Sequence, residues 1–125
     1  MAANNQTSGG GLMERLAAGP VICAEGYLFE LERRGYLQAG PFVPTVVLES
    51  PEAVRQLHID FARAGSDVME AFTYYAHREK LRLIGMEDQL ETINRQALQI
   101  ARNRPTRQSA RQRSPARLYA FQGCP

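Results

Sequence analysis

Tyr74 and Tyr75 close the run 68–75 and bring two aromatic rings and two hydroxyls to one point in the chain. In α/β folds with parallel strands, ligands bind at the carboxyl edge of the sheet, where a strand ending in these tyrosines would deliver them. The pair either lines such a site or packs under a loop. Glu25-Gly26 follows the short apolar run 21–24. There the glycine would let a ligand approach the backbone and the carboxylate would receive an amino or ammonium group. The alternative is a strand-to-helix turn with a solvated glutamate. Phe42 is an apolar ring in a loop and either plugs the core or lines a pocket. Cys23 has no local base to activate it and is expected to be a small buried hydrophobe. His58 is expected to be a packed or surface residue. His77 lacks a second ligand four residues on, so it does not indicate a metal. No catalytic and no metal-ligating residue is assigned.

The elements that must position these groups follow from punctuation and period. Residues 51–64 form an amphipathic helix, with Ser50 as cap, Pro51 at its first position, Glu52 in its first turn and Gly65 as a left-handed stop. Val54, Leu57, Phe61 and Ala64 mark its buried stripe. Residues 68–75, rich in aromatic and β-branched side chains, are predicted to be a strand. Upstream, 12–16 makes one helical turn ending near Gly19-Pro20, and 21–24 has the length of a fully buried parallel strand. A short helix over 28–34 ends at Gly35 and carries Glu30 and Arg34 as an i,i+4 pair. Residues 36–44 form a loop broken by Gly40, Pro41 and Pro44. Residues 77–85 are polar and basic. Asp88 caps a final helix with Leu90, Ile93, Ala97 and Ile100 on its apolar face, running to about Ala101.

Strand, helix, loop, helix, strand, helix is the start of an α/β fold with parallel strands. A (β/α)8 barrel needs eight strands in about 250 residues, so the expectation is its first two strand–helix units, incomplete, with disordered termini. The chain has 125 residues, enough for one domain with a modest core. Its net charge of +2 conceals a division. Residues 1–101 carry 9 Lys+Arg against 13 Asp+Glu, while 102–125 carry six arginines and no acid. Residues 1–11 are expected to be a disordered leader and 103–125 a basic, disordered tail. The tail is either a phosphate-binding arm or an unstructured end, and the second is favoured because the body has no second basic face, so nucleic acid is not expected as a partner. No apolar run approaches the roughly 20 residues of a membrane span, and no secretory signal is visible. Two unpaired cysteines, Cys23 and Cys124, suit a reducing, cytoplasmic setting.

Over 11–102 the chain resembles the amino-terminal part of the homocysteine S-methyltransferase family, its betaine-using branch above all. The stretches that carry the resemblance are GLMERLAAGPVI, LFELERRGYLQAGPF, PEAVRQLHIDFARAGSDVMEAFTYYA and the helix ending QALQIAR. Residues 12–102 are thereby expected to be the amino-terminal part of a homocysteine-binding barrel domain, and 103–125 to be unlike the family. The resemblance implies a zinc-dependent transferase that moves a methyl group from betaine or a similar donor to homocysteine, giving methionine. It also leaves a homo-oligomer open.

Family positions carry over residue by residue. An Asp-Gly-Gly segment that contacts homocysteine reads Ala24-Glu25-Gly26 here. The acid has moved by one residue, and because side chains alternate along a strand it is turned away from the family's position. Tyr27 stands at an aromatic of the donor pocket and Phe42 at a family tryptophan. Tyr75 is the pocket tyrosine, with Phe72 and Tyr74 beside it. With both the acid and the tryptophan changed, the donor need not be betaine. The family's three zinc-binding cysteines match none in this chain. The resemblance therefore implies a truncated form, inactive by itself, with strand edges that favour aggregation. The other class of function is a non-enzymatic binding protein using the arginine-rich tail.

Overall fold

The computed structural model describes residues 11–103. The leader (Gly11 apart), the arginine-rich stretch after Asn103, and Cys124 lie outside the described residues. The helices are α1 (Leu12–Ala18), α2 (Tyr27–Arg33), α3 (Val46–Glu49), α4 (Pro51–Ala64), α5 (Arg78–Leu83) and α6 (Leu90–Arg102). Short 3-10 turns at Val43–Thr45 and Glu87–Gln89 lead into α3 and α6.

The centre is α4, against which α2, α3 and α6 pack, with α3 also against α6. Its first residue is Pro51, as expected, but the Ser50 side chain makes no cap. Ser50 has two backbone duties instead. Its N–H ends α3 by donating to the Val46 carbonyl at 2.8 Å, and its own carbonyl accepts from Ala53 at 3.0 Å to begin α4. Two helices sharing one junction residue leave it no extended backbone from which a serine hydroxyl could cap. Val54 and Leu57 are fully buried, Phe61 is partly buried and Ala64 is exposed. The buried face shifts to Ala62 in the last turn and widens to take in His58 and Ile59. Gly65 stops the helix at φ +114. Its N–H bonds the Phe61 and Ala62 carbonyls, and the Ser66 N–H bonds that of Phe61 at 3.0 Å. A side chain is disfavoured at that φ, which is why glycine ends the helix here.

Part of the expected loop 36–44 belongs to the core. Val43 and Pro44 are buried in the 3-10 turn that runs directly into α3. A proline at the start of a helical turn has no amide to lose, so Pro44 begins structure where it was expected to break it. Asp88 likewise sits inside a 3-10 turn and does not cap α6. The apolar face of α6 is as expected, with Ile93, Ala97 and Ile100 buried and Leu90 partly so. Arg34 extends its expected pair with Glu30 (3.4 Å) across to Asp60 on α4 at 2.9 Å, tying α2 to α4.

The two predicted strands shrink to a single bridge. Among the described residues Cys23 pairs with Val68, in the expected parallel sense. The Ala24 N–H donates to the Val68 carbonyl (2.8 Å), and the Asp67 and Val68 amides donate to the Ile22 carbonyl (2.7 and 3.1 Å). The second run leaves the extended path at Thr73, where the Ala76 N–H bonds the Thr73 carbonyl at 2.9 Å and closes a turn over Tyr74 and Tyr75. Full burial of 21–24 also fails, since Ala24 is buried whereas Ile22 and Cys23 are exposed. A parallel strand is buried on both faces only when both are covered, and here the helices cover the Ala24 side. Cys23 is therefore an exposed thiol, not a core hydrophobe. The α1 helix buries none of its residues and is held by Arg15, whose guanidinium lies 3.4 Å from the Asp67 carboxylate.

Candidate functional site

The seven candidate residues fall into distinct settings. Gly26, at φ +82, precedes α2, and its carbonyl accepts the helix's first hydrogen bond from Glu30 at 3.1 Å. A Cβ at Gly26 would meet nothing within 4 Å, so the backbone angle, not crowding, requires glycine there. Glu25, just before it, is exposed.

Tyr27 opens α2 and points into the core, 5% exposed. Its ring centroid lies 4.8 Å from that of Phe61, 5.1 Å from His58 and 6.2 Å from Phe72. Phe72 is itself 4% exposed, so these two candidates share one aromatic cluster. The Tyr27 hydroxyl lies 2.9 Å from His58 Nδ1 and 3.6 Å from the Met69 sulfur. A buried phenol needs such a polar partner, and α4 supplies it through His58. Sequence spacing placed His58 on the right helix but could not show that its ring meets the hydroxyl of Tyr27.

Tyr74 and Tyr75 form a second assembly. Their rings stack at 4.2 Å with 20° between planes. Tyr75 is the one non-glycine among the described residues with positive φ, at +62. Holding a tyrosine left-handed costs about 1–2 kcal/mol, and the turn from Thr73 to Ala76 imposes it. Lys80, on α5, sets its ammonium 4.5 Å from the Tyr75 centroid, within the range of a cation–π contact. The hydrogen bond to Tyr75 raises the Tyr74 phenol above its ordinary value of 10.0. Lys80 carried no signal in the sequence, because only the turn brings it onto the ring.

Phe42, 60% exposed, lines an open groove of about 320 Å³ with Tyr36, Thr45, Glu49 and the residues between Tyr36 and Phe42. It does not plug the core. None of the other six candidates lines this groove. Among the described residues no group of three His, Cys, Asp or Glu side chains could hold a metal ion, and no helix is long and apolar enough to cross a membrane. The stacked tyrosines present aromatic faces, one of which carries an alkylammonium, while the Gly26 turn and the exposed Glu25 form a separate setting.

The chain is similar in sequence to known proteins. A rat betaine–homocysteine S-methyltransferase 1 is 56% identical over 72 residues, which are 57% of this chain and 18% of the rat protein. The pig protein of that name is 54% identical over 72 residues, covering 26% of its length. The zebrafish one is 48% identical over 95 residues, 74% of this chain and 24% of the relative. The chain thus spans about a fifth to a quarter of the length of these relatives. A family model described as homocysteine S-methyltransferase matches residues 21–120, from the Cys23–Val68 bridge region through every candidate residue and beyond α6. With most of its length inside that match, the chain belongs to the homocysteine S-methyltransferase family.

Proposed function

We propose that the chain supplies the first two strand–helix units of a (β/α)8 barrel, and with them the methyl-donor wall of a homocysteine S-methyltransferase. The observation that carries this is the Tyr74–Tyr75 stack with an alkylammonium 4.5 Å from the Tyr75 ring. The same face suits the trimethylammonium group of betaine or a similar donor. In the reaction the homocysteine thiolate donates an electron pair to a methyl carbon of the donor. The S–C bond forms as the C–N bond breaks, and the released pair stays on nitrogen. The leaving amine is neutral at the reacting centre, so the ring face favours the cation before transfer more than the product after it. Tyr27 and Phe72 contribute from behind, fixing α2 and the run before Tyr74, while Glu25-Gly26 lies where a polar substrate group would meet the backbone.

The family resemblance implies zinc, but the described residues do not fit it. Cys23 belongs to no cluster that could hold a metal, and no step is assigned to one here. The chain alone is proposed to be inactive in methyl transfer, because the described residues offer no metal cluster that would hold homocysteine sulfur as a thiolate.

The test is a chimera in which this chain replaces the matching segment of the rat relative, assayed with methyl-labelled betaine and homocysteine beside the chain by itself. Labelled methionine from the chimera alone is the expected result. No transfer by a folded chimera would overturn the donor-wall role, and transfer by the isolated chain would overturn its inactivity.

A further inference from the structure

We propose that Lys80 is an internal competitor for the outer face of Tyr75, and that a quaternary ammonium donor binds by displacing it. This rests on Tyr75 being a donor-binding ring. A tyrosine ring has two faces. Tyr74 stacks on one at 4.2 Å, which leaves no room there for an ammonium 4.5 Å from the same centroid. Lys80 therefore covers the other face, the one a ligand could use.

The charge inventory around it explains why the lysine rests there. Glu79, its neighbour, is paired with Arg82 at 2.8 Å. Lys80 forms no ion pair among the described residues, and its recorded contact is the ring. A half-exposed ammonium on a flexible stem is easily released to water. The cover is thus weak and reversible, and it is matched in charge to what would replace it. A permanently charged donor regains the cation–π contact that Lys80 gives up, whereas a neutral donor cannot. Lys80 would in this way be a specificity-determining residue: it lowers the apparent affinity for every ligand by the fraction of time the face is covered, and only a cation recovers the loss.

The probe is tetramethylammonium, which has the charge and the methyl groups but no carboxylate, titrated into the full chain and its variants by calorimetry. Lys80→Gln is expected to bind it about three- to five-fold more tightly than the parent, the scale of an exposed cation–π contact. Lys80→Arg, which keeps a stacking cation, should show no gain. The gain should vanish in Lys80→Gln/Tyr75→Leu. In proton NMR of the parent, the Lys80 ε-methylene signals should start upfield under the ring current and move downfield as the probe is added.

Unchanged or weaker binding in Lys80→Gln, with binding abolished by Tyr75→Leu alone, would overturn the competition and leave the donor ring standing. A gain that persists without Tyr75 would be through-space repulsion and would also overturn it. Parent binding indifferent to Tyr75→Leu, or no saturable binding to any of these proteins, would remove both the competition and the donor ring.

Discussion

The hydroxyl of Tyr27 and Nδ1 of His58 lie 2.9 Å apart between α2 and α4, and both side chains are out of water. This contact fixes the helix that begins at the Gly26 turn against the central helix of the fold. Tyr27→Phe keeps the ring and removes the hydroxyl, turning a buried imidazole nitrogen toward an apolar edge. The expected loss is about 1–3 kcal/mol of stability. A lower urea midpoint at an unchanged slope would show it, and an unchanged midpoint would mean that the hydrogen bond contributes nothing net.

Acid should loosen α2 through Glu30. The hydrogen bond from Arg33 chiefly, with the charges of Arg33 and Arg34, holds the Glu30 carboxyl below its ordinary value of 4.5, against a smaller opposing effect of burial. A carboxyl lowered in the folded state contributes stability that is complete above its unfolded value and disappears as pH falls through the lowered one. Stability of the parent should therefore decline more steeply below about pH 4.5 than that of Glu30→Gln. Parallel acid limbs for the two proteins would count against the pairing. The carboxylate is about one-third exposed, 32% by side chain, so the difference should shrink in high salt.

The α1 helix should be the first element to open. It buries none of its seven residues and is tied down by Arg15 to Asp67, whose carboxylate also accepts from the Ile22 amide at 3.2 Å. A helix this short is marginal without such support. In Arg15→Ala, the amides of α1 should exchange with solvent at nearly the free rate while those of α4 and α6 keep their protection. Equal slowing in both proteins would mean that something other than Arg15 holds α1.

Gly65→Ala should destabilise the whole layer, since φ +114 is unfavourable for any side chain. The expected cost is on the order of 1–2 kcal/mol, read as a lower Tm. An unchanged Tm would mean that the turn relaxes to accept the alanine.

How much of this was legible in the chain depends on whether the deciding signal was local. The bounds of α4, its glycine stop and the buried face of α6 follow from residues within a few positions of one another, and they stand as expected. The misses come from features a sequence window does not contain. Ser50 serves two helices at once, so its hydroxyl has no capping geometry. Pro44 was expected to break structure but starts a turn. Residues 68–75 have the composition of a strand, yet the backbone turns at Thr73, and extended pairing beyond Val68 has no partner among the described residues. Cys23 and Ile22 have core chemistry and lie exposed, because burial depends on what covers them. At the site, the aromatic types and the closeness of Tyr74 to Tyr75 were visible in order. That Tyr27 is tied to His58, that Phe42 stands apart on its own groove, and that Lys80 reaches the Tyr75 ring are all long-range facts.

The Cys23–Val68 bridge has a consequence in time as well as in space. It joins positions on either side of α2, α3 and α4, so it cannot form until all three helices have left the ribosome and the chain has returned to its starting edge. Contacts close in sequence form first and distant pairings later. The helical layer should therefore be in place while residues 21–24 still lack their partner, and the nascent protein passes through a stage in which an apolar segment waits unpaired. Chaperone demand, and the tendency of this chain to misassociate during synthesis, should centre on that interval.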